Sequence, residues 1–296
     1  MAVDWTLAAA RSRMQLQLLS ANPGKRAAER WVLVYTPVWG AVAGFVMTTG
    51  VGVRWSGQPW GDVAFFLLGL LVWAGLVIGG YLLRAPEDAG RPWYRLYHTK
   101  LQIWMFVFAF LGNYFTEYFY EMLHMQYGFQ TKWNVNHVPF FLYMLTVAYF
   151  STYATLINVF RRATVSCLPP GAPRWLRSAA YVPACFVVAG LETVLNANPW
   201  MRGLFCYDDL SFMLWFGTLM YGMWFVVTAP LWFWIDELPG EDAPLRSVWI
   251  TALAGFMLVI IVNEGIRELV APHFTVVQRG AIGMDNFGSS CLEPKR

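Results

Sequence analysis

Four stretches of this chain, Trp31–Val53, Val63–Leu83, Val138–Phe160 and Leu210–Ile235, contain no charged residue. A hydrocarbon core ~30 Å thick is crossed by a helix of about 20 mostly apolar residues, because every backbone N–H and C=O inside it must find its partner within the helix. Three more segments, starting near Leu101, Ser178 and Ser247, have the same character until Glu117, Glu192 and Glu264 interrupt them late. The expected fold is therefore all-α: a polytopic membrane helix bundle of about seven transmembrane helices. The expected organisation is a polar N-terminal arm over 1–30, one transmembrane domain over 31–272 and a polar C-terminal tail over 273–296. Composition points the same way, since a chain 57% hydrophobic and 13% charged has too little polar surface to cover a water-soluble globule.

The connections carry loop punctuation, as in Gly57-Gln58-Pro59, Pro169-Pro170-Gly171 and Leu238-Pro239-Gly240. Lys and Arg are rich in the N-terminal arm and in Arg84–Lys100 and Arg161–Arg177, and sparse around Arg54, Lys132 and Arg202. Under the positive-inside rule this alternation predicts a cytoplasmic N-terminus. A seven-span count leaves Arg279, Lys295 and Arg296 on the far side, so an even number of spans stays open. The arm has no apolar stretch of the signal-peptide kind and is expected to be retained. An integral, multi-pass membrane location follows, in the endoplasmic reticulum of a eukaryote or the inner membrane of a bacterium. The net charge of +3, with no basic block interleaved with aromatics, argues against a nucleic-acid partner. Cys167, Cys185, Cys206 and Cys291 have neither metal-ligand nor disulfide-framework spacing and read as inert.

Ionisable groups at membrane depth are costly enough that each is a candidate for function. Asn113, Glu117, Tyr120 and His124 follow steps of four, three and four residues, which puts them on one helix face. That stripe reads either as the acid/base wall of a buried cavity or as an interhelical hydrogen-bond seam. Glu192 and Asn196 share a face one turn apart, and Asn198-Pro199 then ends the helix. With Ala189-Gly190-Leu191 before it and no cation near in sequence, Glu192 is expected to be a protonated carboxylic acid. Glu264 and Arg267, three apart, read as an ion pair, and Asp208-Asp209 as a helix cap. Trp104, Trp215, Tyr221 and Trp224 stand out among the aromatics; most such residues face lipid or the interface, and a minority can line a cavity. The four histidines, His98, His124, His137 and His273, are isolated, which excludes the clustered-histidine iron site of membrane desaturases, and no glycine-rich nucleotide fingerprint follows a strand.

Beyond spacing, an ordered set of motifs carries a resemblance. It runs Asn22-Pro23-Gly24-Lys25-Arg26, Tyr35-Thr36-Pro37-Val38-Trp39, Tyr97 and Lys100 with Trp104, and Gly112-Asn113-Tyr114-Phe115. Next come Trp133 with Asn136 and Val138-Pro139, Arg161-Arg162, and Leu191-Glu192-Thr193 with Ala197-Asn198. Asp209, Tyr221, Pro230, Asp236-Glu237, Arg267 and Cys291-Leu292 complete it. This set resembles the cycloeucalenol cycloisomerase family over nearly the whole chain after the arm. Departures from the family's plant members at Glu117 and His137 concentrate the shared candidates on Glu192, Asn113, Asp209 and Glu264.

The resemblance implies opening of the 9β,19-cyclopropane ring of a cyclopropyl sterol to a Δ8 sterol. A general acid protonates the strained carbon, a cation forms at ring carbon 9, and a base removes the neighbouring proton. It implies neither cofactor nor metal, with the sterol and the bilayer as partners. The candidate catalytic residues are Glu192, Asn113, Glu264 and Glu117, with Glu192 as the acid, Asn113 orienting it and Glu264 held charged by Arg267. Trp104, Tyr114, Tyr120, Asn196 and Tyr221 are the candidate substrate-binding residues. Glu117, Glu192 and Glu264 are expected at similar depth around one cavity, near the non-cytoplasmic face. The competing readings are a sterol double-bond isomerase, a non-catalytic sterol-binding or transport protein, and a proton-coupled transporter. The last lacks the internal repeat that many transporters show.

Overall fold

The computed structural model describes residues 18–48, 54–55, 58–116, 120, 122–123, 125–129, 131–169, 171–196, 204–207 and 210–270. Seven long helices dominate them: α1 (Pro23–Thr48), α2 (Asp62–Leu82), α3 (Tyr97–Tyr114), α4 (Phe140–Cys167), α5 (Val182–Asn196), α6 (Thr218–Phe233) and α7 (Leu245–Leu269). A short helix, Arg174–Ala179, leads into α5, and a π-helical segment, Met213–Gly217, leads into α6. Among the described residues five helical stretches are long and apolar enough to cross a membrane: Asp62–Leu82, Phe140–Cys167, Arg174–Asn196, Met213–Phe233 and Leu245–Leu269. The fold is an all-α membrane bundle, with strand confined to pairs of two or three residues.

The more polar α3 is the central helix. It packs against α1, α2, α4 and α7, and most of its residues are buried, so its neighbours shield Lys100, Gln102 and Asn113 from lipid. The outer faces are apolar instead. Val34, Val38, Val42 and Phe45 are exposed at steps of four, four and three along α1, and Ile250, Leu253, Met257 and Ile261 at steps of three, four and four along α7. Apolar stripes of that length facing outward fit hydrocarbon and not water.

Side-chain donors reach across helices to backbone carbonyls and hydroxyls. Tyr35 Oη donates to the Val72 carbonyl at 2.9 Å and Trp31 Nε1 to that of Leu76 at 2.8 Å, tying α1 to α2. Trp39 Nε1 donates to Thr152 Oγ1 at 3.2 Å, and Thr36 Oγ1 lies 2.9 Å from the same hydroxyl, tying α1 to α4. Tyr35, Thr36 and Trp39 of the Tyr35–Trp39 motif are thus each engaged with a neighbouring helix. Where α2 meets α4 the backbones touch: a Cβ at Gly69 would lie 2.6 Å from the Phe141 carbonyl oxygen. Gly69→Ala is therefore expected to force the two helices apart and destabilise the chain by about 1–3 kcal/mol. Gly44→Ala, where a Cβ meets nothing within 4 Å, serves as the neutral control. Thermal unfolding of both variants in detergent checks this, and equal midpoints would disprove the close approach.

The third apolar segment does not continue as one helix. α3 ends at Tyr114, whose carbonyl accepts a hydrogen bond from the Asn136 amide. Asn136 and His137, at φ 45° and 64°, form the two-residue turn that pairs Val135 with Val138. Such turns need positive φ at both central positions, which Asn tolerates better than most residues. The expected single face carrying Asn113, Glu117, Tyr120 and His124 is thus interrupted; Glu117 and His124 lie outside the described residues, as do Asp208 and Asp209.

Candidate functional site

A cavity opens at the end of the bundle where α3 and α5 finish and α4 and α6 begin. Its empty volume is about 840 Å³ counting its mouth. Gly112, Asn113 and Thr116 come from the end of α3, Leu142, Thr146, Tyr149 and Phe150 from α4, and Glu192, Thr193 and Asn196 from the last turns of α5. Met213, Tyr221 and Trp224 close a further side. Two short antiparallel strands from the connecting loops, Met125–Tyr127 and Phe205–Tyr207, lie across it. The strand period of two decides which of their residues enter: Met125, Tyr127, Phe205 and Tyr207 line the cavity, while Gln126 and Cys206 alternate away.

Glu192 is the single carboxylic acid among the described lining residues. Its Oε1 accepts a long hydrogen bond, 3.5 Å, from Asn196 Nδ2 one turn on, which is the spacing that puts both on one helix face. Oε2 is buried and has no hydrogen-bond partner among the described residues. A bare carboxylate oxygen in such surroundings is costly, so the arrangement suits a group that gives or takes a proton there. Burial pushes the Tyr127 and Tyr207 phenols above their ordinary range. They remain neutral O–H groups. Aromatic faces supply the other walls: Tyr221 and Trp224 have ring centroids 5.4 Å apart, as do Tyr127 and Phe205. Trp224 is fixed by its Nε1 donating to Asn263 Oδ1 at 2.8 Å.

Of the residues expected at the site, Glu192, Asn113, Asn196 and Tyr221 line one cavity. Asn113 is not bonded to the acid: its Nδ2 donates to the Ala109 carbonyl at 2.8 Å and to Thr146 Oγ1 at 2.7 Å, and the amide beside Glu192 is that of Asn196. Glu264 does not join them. It pairs with Arg267 at 2.7 Å on a partly exposed face of α7, while its neighbour Asn263 turns inward to Trp224. Convergence of three acids therefore fails at Glu264, and Glu117 lies outside the described residues. Trp104, fully buried, packs on Phe108 and Trp232 at centroid distances of 5.4 and 5.1 Å, in the core and away from the cavity. Tyr114, partly exposed, and Tyr120, buried beyond the end of α3, do not line the cavity either.

Most of the charged motif residues meet at the opposite end. Arg162 donates to both oxygens of Glu237 at 2.7 and 2.8 Å and to both of Glu29 at 2.8 and 2.9 Å. Lys25, wholly buried, pairs with Glu237 at 2.9 Å and donates to the Ile235 carbonyl at 2.8 Å and to that of Phe233. Asn22 caps α1 through its Oδ1, which accepts from the Gly24 and Lys25 amides. Lys100 bridges Asp236 and Asp242 at 2.6 and 2.7 Å. Lys25, Glu29, Lys100, Arg162, Asp236, Glu237 and Asp242 each have a charged partner, and the network ties the starts of α1 and α3 to the ends of α4 and α6. Cys206 is disulfide-bonded, which corrects the reading of all four cysteines as inert; Cys167 and Cys185 are free.

No protein-family model and no solved structure matches the chain. Cycloeucalenol cycloisomerase of Arabidopsis thaliana is 30% identical to it over 262 residues, which cover 86% of this chain and 89% of that protein. With that identity carried across nearly the full length of both, this membrane protein belongs to the cycloeucalenol cycloisomerase family.

Proposed function

We propose that the chain is a sterol isomerase that opens the 9β,19-cyclopropane ring of a cyclopropyl sterol resembling cycloeucalenol, giving a Δ8 sterol resembling obtusifoliol, with Glu192 as the acid. The observation that carries the proposal is the buried, unpartnered Oε2 of Glu192 in an aromatic cavity. The carboxylic acid delivers its proton to C19 as the C9–C19 bond breaks. The bonding pair becomes the new C–H bond, and the positive charge is left on ring carbon 9. Loss of the proton on carbon 8 to a carboxylate then places the double bond between carbons 8 and 9, so the substrate is neither oxidised nor reduced. With Glu192 the single acid among the described lining residues, its own carboxylate is the nearest base, and one group serves both steps. Tyr221, Trp224 and Tyr127 offer π faces to the cation, an interaction of ~2 kcal/mol or more when desolvated. Asn196 steadies the acid, and Asn113 with Thr146 orients the ring system.

The cavity end is assigned to the non-cytoplasmic side. The basic segments gather at the other end, and the Cys206 disulfide at the cavity end suits an oxidising compartment.

The test is expression in a host that makes no cyclopropyl sterols, feeding of cycloeucalenol in heavy water, and mass spectrometry of the extracted sterols. A Δ8 isomer with deuterium in the new C19 methyl group is expected, because the added proton comes from an exchangeable acid. Recovery of unchanged sterol would refute the activity, and product without label would refute direct protonation.

A further inference from the structure

A second cleft lies at the end of the bundle opposite Glu192, between α4, α6 and the segment entering α5. Its empty volume is about 550 Å³ counting its mouth. The cleft lies beside Pro230, which stands inside α6. Pro230 has no N–H to give, so the Val226 carbonyl loses its helical donor, and the Tyr181 hydroxyl replaces it at 2.9 Å. Arg161 forms the opposite wall. Its guanidinium lies 3.8 Å from the Phe233 ring centroid and 4.9 Å from that of Trp234.

Stacking holds that plane but satisfies none of its five N–H groups. Among the described residues Arg161 has no hydrogen-bond or ion-pair partner, in contrast to Arg162, whose guanidinium is shared between two carboxylates. Glu237, the acid within electrostatic reach of Arg161, is already held by Arg162 and Lys25. A planar donor fork, stacked and left open toward a cleft, matches the oxygens of a phosphate. Exposed Trp234 lines the cleft as interfacial tryptophans do, exposed Trp175 stands three residues before the lining residue Ser178, and Leu156 and Phe160 on α4 present exposed apolar surface for acyl chains. We propose that this cleft binds the phosphate headgroup of an anionic phospholipid, with Arg161 as the phosphate ligand.

The full chain, purified in a neutral detergent, would be titrated with phosphatidylglycerol, phosphatidylcholine or inorganic phosphate and read by native mass spectrometry. Phosphatidylglycerol is expected to bind the unmodified chain roughly tenfold or more tighter than Arg161→Gln, the loss of a charge-assisted contact. Phosphatidylcholine and inorganic phosphate are expected to bind both proteins weakly and alike. Ser178→Trp, which fills the cleft from its other side and leaves the arginine in place, is expected to lose the lipid too, so the test stands if Arg161→Gln does not fold. Equal retention of phosphatidylglycerol by the unmodified chain and the folded variants would overturn the proposal. Inorganic phosphate binding as tightly as the lipid would overturn it as well. Neither outcome depends on isomerase activity.

Discussion

Glu192→Gln is expected to lower turnover of a cyclopropyl sterol by at least ~10³-fold while leaving the amount, thermal midpoint and sterol affinity of the protein nearly unchanged. General acid–base groups contribute typically 10²–10⁴-fold, and here one carboxyl is assigned both the proton donated to C19 and the proton removed from carbon 8. The amide keeps the shape and the hydrogen-bond contact with Asn196, and it removes only the exchangeable acidic proton. Stability has no reason to fall, since Oε2 makes no hydrogen bond whose loss would cost anything. Rates, sterol binding and melting measured on one preparation decide the matter. A folded Glu192→Gln protein with full activity would remove Glu192 from the reaction. Glu264→Gln, changed outside the cavity, is expected to keep activity within a few-fold, and a loss like that at 192 would restore the role for Glu264 that the geometry withholds.

The apolar runs made the helices legible because a membrane span needs a continuous apolar stretch and little else. Helical spacing also placed Asn196 correctly beside Glu192. It was less useful where the chain stops being helical. The stripe through Asn113, Glu117, Tyr120 and His124 assumes a straight helix, whereas α3 ends at Tyr114. Trp104 was excludable in principle: nine residues before Asn113, at 100° per residue, it points to the opposite side of α3. The cavity's strands were not legible. Met125-Gln126-Tyr127 and Phe205-Cys206-Tyr207 are too short for an alternating pattern to stand out, and they sit in segments that a search for apolar runs treats as connections. Glu264 shows the limit of residue type as evidence. A carboxylate and an arginine three apart satisfy each other on the helix surface, so neither needs the interior. Motif order pointed to Lys25, Arg162 and Glu237 without saying that they meet, because contacts between residues more than seventy positions apart leave no local periodicity.

Those residues set the largest stability effect expected in the molecule. Arg162→Met is expected to destabilise the chain by about 3–5 kcal/mol, because it leaves Glu29 and Glu237 buried with Lys25 as the main remaining cation. For a chain of this size that corresponds to a fall of roughly 6–20 °C in the melting midpoint. Arg162→Lys should recover little of the loss, since an ammonium cannot present parallel donors to two carboxylates as the guanidinium does. Acid should mimic the mutation. Burial alone would raise the Glu237 carboxyl, but the hydrogen bond from Arg162 and the charge of Lys25 outweigh it and hold the group below the usual carboxylate range. Asp242, despite some desolvation, is held low in the same direction by Lys100. A carboxyl held low in the folded chain contributes stability that is complete above its unfolded value, about 4, and that disappears as pH falls through the folded value. The unmodified protein should therefore lose stability below about pH 4, and Arg162→Met, which has already lost the main contact holding Glu237 low, should show a shallower slope there. Melting curves across that range test both parts together. Parallel slopes for the two proteins would show that Arg162 does not hold Glu237 ionised. A midpoint unchanged at neutral pH would show that the network does not hold the ends of α1, α3, α4 and α6 together.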